Sequence, residues 1–591
     1  MNPSHRACAR LICCAALFLL AAGARAADAT PGPPAAAPAG SAAAPAEAAG
    51  NAQWDAYAAE YLEWHFSVDP PNAVGQGRHE FDGMLPDWRA LRIQAVIDRL
   101  HLERARAAQF GDQRLDARRQ LERDVLLTHI DGQLFWMETA RAPFRNPSYY
   151  ASALDPDVYL TRDYAPLPQR MRAYIAYLRA VPQALKHVRE NLRAPMPRSF
   201  VQLAHLQFGG YAEYYEKEVP RIFEGVADPK LQADFRAANA AAVQAMREID
   251  AWFRGLEASA TDEFALGQEK FEQMLWATER VRVPPSRLKE IAQADLDRNT
   301  KALAEACASY APGRPVAECV ARYSADKPTV PMLEEARRQL EELRSFVQSH
   351  QVVTIPGGET ASVHEAPEYQ RWNAAYISIP GPYERGLPSV FYISPPDPAW
   401  SKDEQLAYIP SKDDLLFVSV HEVWPGHFLQ FLYLNRAPSP LSRVLTSYAF
   451  TEGWAHYSEE MMWEEGLRSG DAEAHVGQIV NALLRNVRLL SAIGLHTGGM
   501  TVAQSEAMFR DKAFQDAGNA RQQAARGTFD PAYGNYTLGK LMIRKLRDEW
   551  CAARGGREAW KSFHDTLLGL GAPPLPLARK AMLGDDKQPV L

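Results

Sequence analysis

Two histidines and a glutamate in residues 415–430 have the spacing of metal ligands and a catalytic base. The segment reads LLFVSVHEVWPGHFLQ: an apolar run leads into His421-Glu422, and His427 follows six residues after the first histidine. Two imidazoles and one carboxylate, with a position left open for water, are typical of a catalytic zinc site. A glutamate directly after the first histidine is the usual general base in such sites. We therefore predict that His421 and His427 bind Zn²⁺ and that Glu422 is the base.

The spacing of six residues does not suit an uninterrupted helix. Six residues correspond to about 600°, or about 240° beyond one full turn, so His427 would point away from His421. Pro425 and Gly426 offer a remedy, because proline cannot donate to the carbonyl of His421 and glycine tolerates a distorted backbone. We expect a widened turn or a break here that brings the two imidazoles together.

Glu452 is the predicted third ligand. It lies in TEGWAHYSEE, 25 residues after His427, which leaves room for one helix to end and a second to return. Glu459 in the same segment is the alternative ligand. His456, one helical turn after Glu452, is interpreted as a core residue or a residue supporting the site rather than a ligand.

The oxyanion that forms at an attacked carbonyl needs hydrogen-bond donors besides the metal. Tyr536 and His496 are the candidates, and Tyr536 lies in the aromatic segment AYGNY just before a predicted helix. A tyrosine packed in the core is the competing interpretation of Tyr536. Arg488 and Arg544 could bind a substrate carboxylate or form ordinary ion pairs.

Helices are predicted to position these residues. From residue 54 to about 353, and again after residue 403, apolar residues recur at spacings of three and four with charges between them. Residues 355–398 differ, since Pro and Gly separate two short extended runs, 375–379 and 389–393. The pattern favours a mainly α fold with a small antiparallel sheet near the metal motif. An extended peptide could add to the edge of that hairpin, or the hairpin could be structural.

The N-terminus indicates export. Two arginines precede the apolar run 11–22, which is too short to span a bilayer, and Ala24-Arg25-Ala26 matches a signal-cleavage pattern. We divide the chain into a signal peptide (1–26), an Ala/Pro-rich disordered linker (27–51) and one metallopeptidase-type domain (52–591), with its catalytic segment at about 370–550. No cysteine stands at a lipoprotein cleavage point, so we expect a periplasmic or secreted protein without a membrane segment after cleavage. An uncleaved anchor is the alternative.

Charge and cysteines limit the partners and the compartment. The net charge is -7, and loss of the three arginines of residues 1–26 would lower it to -10. Such a surface disfavours nucleic acid and anionic membranes as partners. Cys307 and Cys319, twelve residues apart, could form a disulfide in an oxidising compartment, which would leave Cys551 unpaired.

The segments HExxPGH and EGWAxY together resemble the large bacterial family called domain of unknown function 885. Two further segments share the likeness: RLLSAIGLH, beginning at Arg488, and YTLGK, beginning at Tyr536. The resemblance covers most of residues 54–580. That family is similar to helical gluzincin peptidases such as the angiotensin-converting-enzyme, thimet oligopeptidase and Taq carboxypeptidase groups, which have His-Glu-x-x-His without the two additional residues. It implies an elongated, zincin-like helical shell around a deep cleft in which short peptides are cut.

We therefore predict a hydrolase with one Zn²⁺ per chain that cleaves short peptides, with Glu422 moving the proton of a metal-activated water. Two histidines and one glutamate suit zinc best. A zinc amidase or esterase acting on cell-wall or other non-peptide substrates would use the same chemistry. A non-catalytic binding protein is disfavoured by Glu422, and a structural envelope protein would bind no zinc. Cleavage specificity and oligomeric state do not follow from the sequence.

Overall fold

The computed structural model describes residues 45–367, 370–371, 374–398, 400–584 and 589–591. The predicted signal peptide and residues 27–44 of the predicted linker lie outside these residues. The linker prediction is wrong for residues 45–51, which begin the first helix. A Cβ at Gly50 would lie 2.0 Å from the Arg114 carbonyl oxygen, and the Asp116 N–H donates to Asn51 Oδ1 at 3.0 Å. The Ala-rich composition of this segment therefore gave no sign that it starts a helix, and this helix packs against Arg114 and Asp116.

The first half of the chain is helical, as the spacing of its apolar residues predicts. Its helices are α1 (Pro45–Val68), α2 (Pro70–Gly75), α3 (Ala90–Ala108), α4 (Ala117–Leu134), α5 (Ala142–Arg145), α6 (Ser148–Ala151), α7 (Asp157–Thr161), α8 (Leu167–Asn191), α9 (Arg198–Lys217), α10 (Val219–Ile222), α11 (Pro229–Leu256), α12 (Gln268–Glu279), α13 (Pro285–Tyr310), α14 (Val316–Ala325) and α15 (Met332–Ser349). The long helices α8, α9 and α11 pack on one another and bury an aromatic core of their own.

Helices return after the sheet and continue to residue 583. They are α16 (Lys402–Tyr408), α17 (Lys412–Glu422), α18 (His427–Leu434), α19 (Pro440–Val444), α20 (Tyr448–Glu464), α21 (Ala472–Thr497), α22 (Val502–Ala513), α23 (Ala517–Phe529), α24 (Asn535–Ala552), α25 (Trp560–Gly569) and α26 (Leu575–Leu583). Their apolar faces, with those of α12 to α15, form the largest core. Of the helices described, none is both long and apolar enough for a membrane span.

Three strands separate the two helical halves of the sequence: β1 (Ala361–Glu365), β2 (Ala375–Ser378) and β3 (Ser389–Ile393). They form one sheet with the strand order β1-β3-β2. β2 and β3 are antiparallel, with Tyr376 opposite Tyr392, so the predicted hairpin is confirmed. β1 pairs with β3 in parallel, which makes the sheet mixed rather than antiparallel. Only Val363 of β1 is buried, so this strand lacks the alternation that marks a strand in sequence. β2 packs against α17, the helix of the metal motif.

Cys307 and Cys319 form the disulfide that their spacing suggested, with Cα atoms 5.7 Å apart. The bond joins the end of α13 to α14 across the loop between them. Cys551, in α24, is a free and buried thiol, as expected if the other two pair.

Candidate metal centre

The chain leaves the helix between the two histidines of the motif. α17 ends at Glu422, and α18 begins at His427. The Gly426 N–H donates to the Val420 carbonyl at 2.9 Å. A Cβ at Gly426 would lie 1.8 Å from the His421 carbonyl oxygen, so only glycine has room here. The predicted break is present, and it places the two imidazoles 4.8 Å apart between ring centroids, at 89° to each other.

The helix that carries Glu452, the predicted third ligand, also holds this break in place. α20 begins after Ser447, whose side chain accepts from the Phe450 N–H at 3.0 Å and caps the helix. Trp454, two residues after Glu452, is fully buried, and its Nε1–H donates to the Pro425 carbonyl at 2.9 Å. The tryptophan of EGWA therefore links the Glu452 helix to the Pro-Gly segment.

The three predicted ligands converge. Glu452 Oε2 lies 3.5 Å from His421 Nε2 and 3.4 Å from His427 Nε2, and one ligand atom of each residue lies within 4.8 Å of the others. These distances are longer than normal hydrogen bonds. They match the separation of roughly 3.3 Å between ligand atoms that each lie about 2.0–2.2 Å from one tetrahedral ion. No other such group of three His, Cys, Asp or Glu side chains occurs in the part of the chain that the structure describes. These residues are therefore placed to hold a metal ion.

Glu459, the alternative ligand, lies behind His421 instead. Its Oε1 is 2.6 Å from His421 Nδ1, and Arg485 of α21 donates to the same oxygen at 3.0 Å. An ionised carboxylate only accepts, so Nδ1 carries a proton, and Nε2, which faces Glu452, is the nitrogen that can bind a metal once it is unprotonated. This is the arrangement that orients a histidine ligand. Nothing in the sequence singled out Arg485, which is one of two arginines on its helix.

Burial and the neighbouring charged groups shift the pKa values of the residues at this centre. Burial and Arg485 disfavour a charged His421, but the neighbouring carboxylates of Glu452 and Glu459 outweigh them and raise its pKa to about 9. Burial opposes ionisation of Glu452, yet His427 and His421 hold its pKa well below the ordinary value. Burial raises the pKa of Glu422, the last residue of α17. Binding of a metal requires that His421 give up a proton.

Tyr536 lies beside His421, a candidate metal ligand, because α20 and α24 approach backbone to backbone. A Cβ at Gly453 would lie 2.5 Å from Gly539 Cα, and a Cβ at Gly539 would lie 1.9 Å from the Ala449 carbonyl oxygen. The half-buried Tyr536 ring lies 6.1 Å from the His421 ring between centroids, at 17°. Glycines in EGWA and YTLGK therefore set the distance of this predicted oxyanion donor from the site.

His496, the other predicted donor, has both ring nitrogens bonded to backbone. The Leu266 N–H donates to Nδ1 at 3.2 Å, so Nε2 carries the proton, and it lies 2.7 Å from the Gly527 carbonyl. Its ring packs near Phe264 and Phe271, and burial lowers its pKa to about 4. These contacts give His496 a structural role between α12 and α23, and no donor remains for a substrate oxygen.

The two candidate arginines differ in their surroundings. Arg544 Nη1 lies 3.1 Å from Glu460 Oε1 and 3.9 Å from Asp295 Oδ1, which is the ordinary ion-pair alternative. Arg488 instead places its guanidinium carbon 4.8 Å from the centroid of the Tyr536 ring. Of these two arginines, only Arg488 therefore lies close to the candidate metal ligands.

His456 is a core residue, as one interpretation held. It is fully buried, its Nδ1 lies 3.5 Å from Glu459 Oε2, and burial together with Lys540 lowers its pKa to about 3. It stays neutral behind Glu459 and is not among the converging ligands.

Comparison with known families agrees with the motifs. The profile of the family described as bacterial protein of unknown function (DUF885) matches residues 70–582. The chain belongs to this family. A comparison with curated proteins found no match.

Two solved structures share this fold. A putative lipoprotein of unknown function from Shewanella oneidensis is 23% identical, with a TM-score of 0.75 over 90% of this chain and 99% of its own. The putative lipoprotein from Colwellia psychrerythraea is 17% identical, with a TM-score of 0.78 over 90% and 98%. A Pyrococcus furiosus carboxypeptidase is 12% identical over 84% and 96%, with a TM-score of 0.34, which is too low to indicate a common fold.

Proposed function

We propose that this DUF885 protein is a zinc-dependent peptidase that cleaves short peptides. The observation that carries the proposal is the convergence of His421, His427 and Glu452, with Glu422 directly after the first ligand. The contacts of 3.4 and 3.5 Å between Glu452 and the histidines suit ligands of one ion better than they suit hydrogen bonds. The set of two imidazoles and one carboxylate favours zinc among divalent metals.

The chain's own residues have distinct tasks in such a reaction. A Zn²⁺ ion held by the three ligands would polarise the attacked carbonyl and make water beside it more acidic. Glu422 would take the proton from the attacking water and deliver it to the leaving amine. Tyr536, beside His421, would donate its phenolic hydrogen to the carbonyl oxygen as negative charge develops there.

Glu459 and Arg485 position the site without touching substrate. Glu459 is fully buried and keeps the Nδ1 proton of His421 on the side away from the other ligands. Burial alone would keep Glu459 protonated, but Arg485 holds the pKa of this carboxyl well below its usual range. The pair therefore keeps one tautomer and one ring orientation of His421.

We also propose that the protein acts outside the cytoplasm. The signal-like residues 1–26 support export, and the disulfide between Cys307 and Cys319 suits an oxidising compartment.

The test combines metal content with peptide cleavage. We expect one zinc per purified chain by elemental analysis, retained in Glu422→Gln and lost in His427→Ala. Cleavage of a mixed library of short peptides should vanish in both variants and persist in Glu341→Gln, an exposed position on α15. A wild-type chain that takes up no zinc would refute the proposal. Zinc without cleavage of any peptide would leave the amidase, esterase or binding alternatives.

A further inference from the structure

We propose that Gln430 of α18 is the residue that positions His427, the second candidate ligand. Its amide oxygen accepts a hydrogen bond from His427 Nδ1–H when a metal ion is bound to Nε2. Gln430 is the last residue of the segment LLFVSVHEVWPGHFLQ and follows His427 by three residues. The inference deepens the zinc site proposed above and rests on it.

The two candidate histidines differ in what supports them. His421 Nδ1 lies 2.6 Å from Glu459 Oε1, and Arg485 holds that carboxylate. His427 Nδ1 is buried and has no hydrogen-bond partner among the described residues. A histidine that binds a metal through one ring nitrogen almost always donates its other N–H to a carboxylate, a carbonyl oxygen or water. As a ligand, His427 therefore needs an acceptor that its present contacts do not include.

Gln430 has an amide oxygen in search of a donor. Its side chain is 1% exposed, and in the part of the chain that the structure describes its Oε1 has no hydrogen-bond partner. Its Nε2 lies 3.4 Å from Thr451 Oγ1, so the amide nitrogen faces α20 and the oxygen is left for another donor. Buried polar atoms without a partner are costly and rare in folded proteins, so such an oxygen calls for an explanation.

The helix places these two groups together. Residues three apart lie on the same face of a helix, with Cβ atoms about 5–6 Å from each other. Helical side chains lean toward the N-terminus, so Gln430 covers the turn of α18 that begins with His427. The nitrogen and the oxygen that lack partners therefore share one buried turn.

The tautomer of His427 explains why the two atoms do not bond each other in the absence of a metal. His427 Nε2 lies 3.4 Å from Glu452 Oε2, and an ionised carboxylate favours the tautomer that carries its hydrogen on Nε2. Nδ1 is then a lone pair, and a lone pair cannot bond to an amide oxygen. A metal ion on Nε2 takes the place of that hydrogen, so the neutral ring carries its hydrogen on Nδ1 instead. Nδ1 thereby becomes a buried donor that Gln430 Oε1 can accept.

The first experiment compares two substitutions of Gln430. Gln430→Met keeps the length of the side chain without the oxygen, and Gln430→Glu keeps an acceptor. Zinc affinity is measured by competition with a coloured chelator, without peptide. We expect Gln430→Met to bind zinc roughly 10- to 100-fold more weakly, as loss of a group that orients a ligand implies. Gln430→Glu should bind zinc at least as tightly as wild type, because a carboxylate is the stronger acceptor. Gln348→Met, at an exposed position of α15, is the matched control and should behave as wild type.

Thermal unfolding without zinc separates positioning from packing. Gln430 Oε1 has no partner until His427 becomes a donor, so zinc-free Gln430→Met should unfold at the wild-type temperature or above it. Wild-type zinc affinity in Gln430→Met would overturn the inference and leave the zinc site. A loss of affinity that Gln430→Glu does not restore, with lower zinc-free stability of Gln430→Met, would overturn it as well, because Gln430 would then only pack. A wild-type chain that takes up no zinc would refute the site and the peptidase too.

The second experiment observes the hydrogen bond in the wild-type chain, so it does not depend on the folding of Gln430→Met. Protein with isotope-labelled nitrogen in its histidine rings is followed by NMR as zinc is added. The Nδ1–H of His421 is bonded to Glu459 already without zinc. We expect the Nδ1–H of His427 to become protected from exchange only with zinc, and its signal to move downfield in Gln430→Glu. No new signal with zinc, or a new signal that Gln430→Glu does not move, would overturn the inference.

Discussion

Gly426→Ala should separate the two histidines of the metal motif. The new Cβ would lie 1.8 Å from the His421 carbonyl oxygen and 2.4 Å from that of Val420, and Cβ contacts below 3.0 Å essentially never occur. Relief of the shorter contact requires a shift of about 1.2 Å in the segment that joins the two histidines. Sites for metal ions hold their ligand distances to within roughly 0.2 Å. One histidine must therefore leave the ligand set.

The expected loss of zinc affinity is at least about 100-fold, since changes that only misorient a ligand already cost about 10- to 100-fold. Under zinc excess this lowers the stabilisation by zinc by roughly 2.7 kcal/mol. Affinity would be measured by competition with a coloured chelator, and stability by thermal unfolding with and without zinc. Gly210→Ala in α9, where a Cβ meets nothing within 4 Å, is the control and should gain up to about 1 kcal/mol. Wild-type zinc affinity in Gly426→Ala would refute the reasoning.

Three further predictions concern other parts of the structure. Glu459→Gln should weaken zinc binding about 10- to 100-fold in the chelator competition, and unchanged affinity would contradict its role in orienting His421. Burial raises the pKa of Glu279, next to the start of α20, from 4.5 to about 7, so the folded chain keeps a proton that the unfolded chain loses. The free energy of unfolding should therefore fall by roughly 3 kcal/mol between pH 4.5 and 7, as measured by urea unfolding. The fall should be smaller in Glu279→Gln and unchanged in the control Glu269→Gln, whose side chain is exposed. Cys307→Ser should cost about 3 kcal/mol in unfolding without reductant, and a difference that persists in reductant would contradict the disulfide as its cause.

The local motifs were readable from sequence because each depends on a few neighbouring residues. His421, His427 and Glu422 are recognisable by residue type and spacing, and Pro425-Gly426 predicts a break because proline lacks a donor and glycine lacks a Cβ. Helical periodicity and the hairpin at β2 and β3 follow from the same local rules. Strand β1 was not predicted, because only one of its five residues is buried and the sequence therefore shows no alternation of apolar and polar residues.

The choice between Glu452 and Glu459 required the tertiary structure. Seven residues are close to two full turns, so both carboxylates project from the same face of α20 and either could be the ligand. What separates them is the packing of α21, which brings Arg485 against Glu459 and leaves Glu452 between the two histidines. The sequence around these glutamates does not show which charged residue of another helix will pack against them.

For the same reason, the roles of His496, Arg488 and Tyr536 could not be assigned from the sequence. All three lie in segments that resemble the family, yet only the packed structure shows that His496 is occupied by the backbone of Leu266 and Gly527. It also shows that two glycines let α24 bring Tyr536 beside His421, with Arg488 over its ring. The sequence by itself determined which side chains could bind a metal and move a proton, because that depends on residue chemistry. The tertiary structure decided which of them meet, because that depends on how closely distant helices can approach.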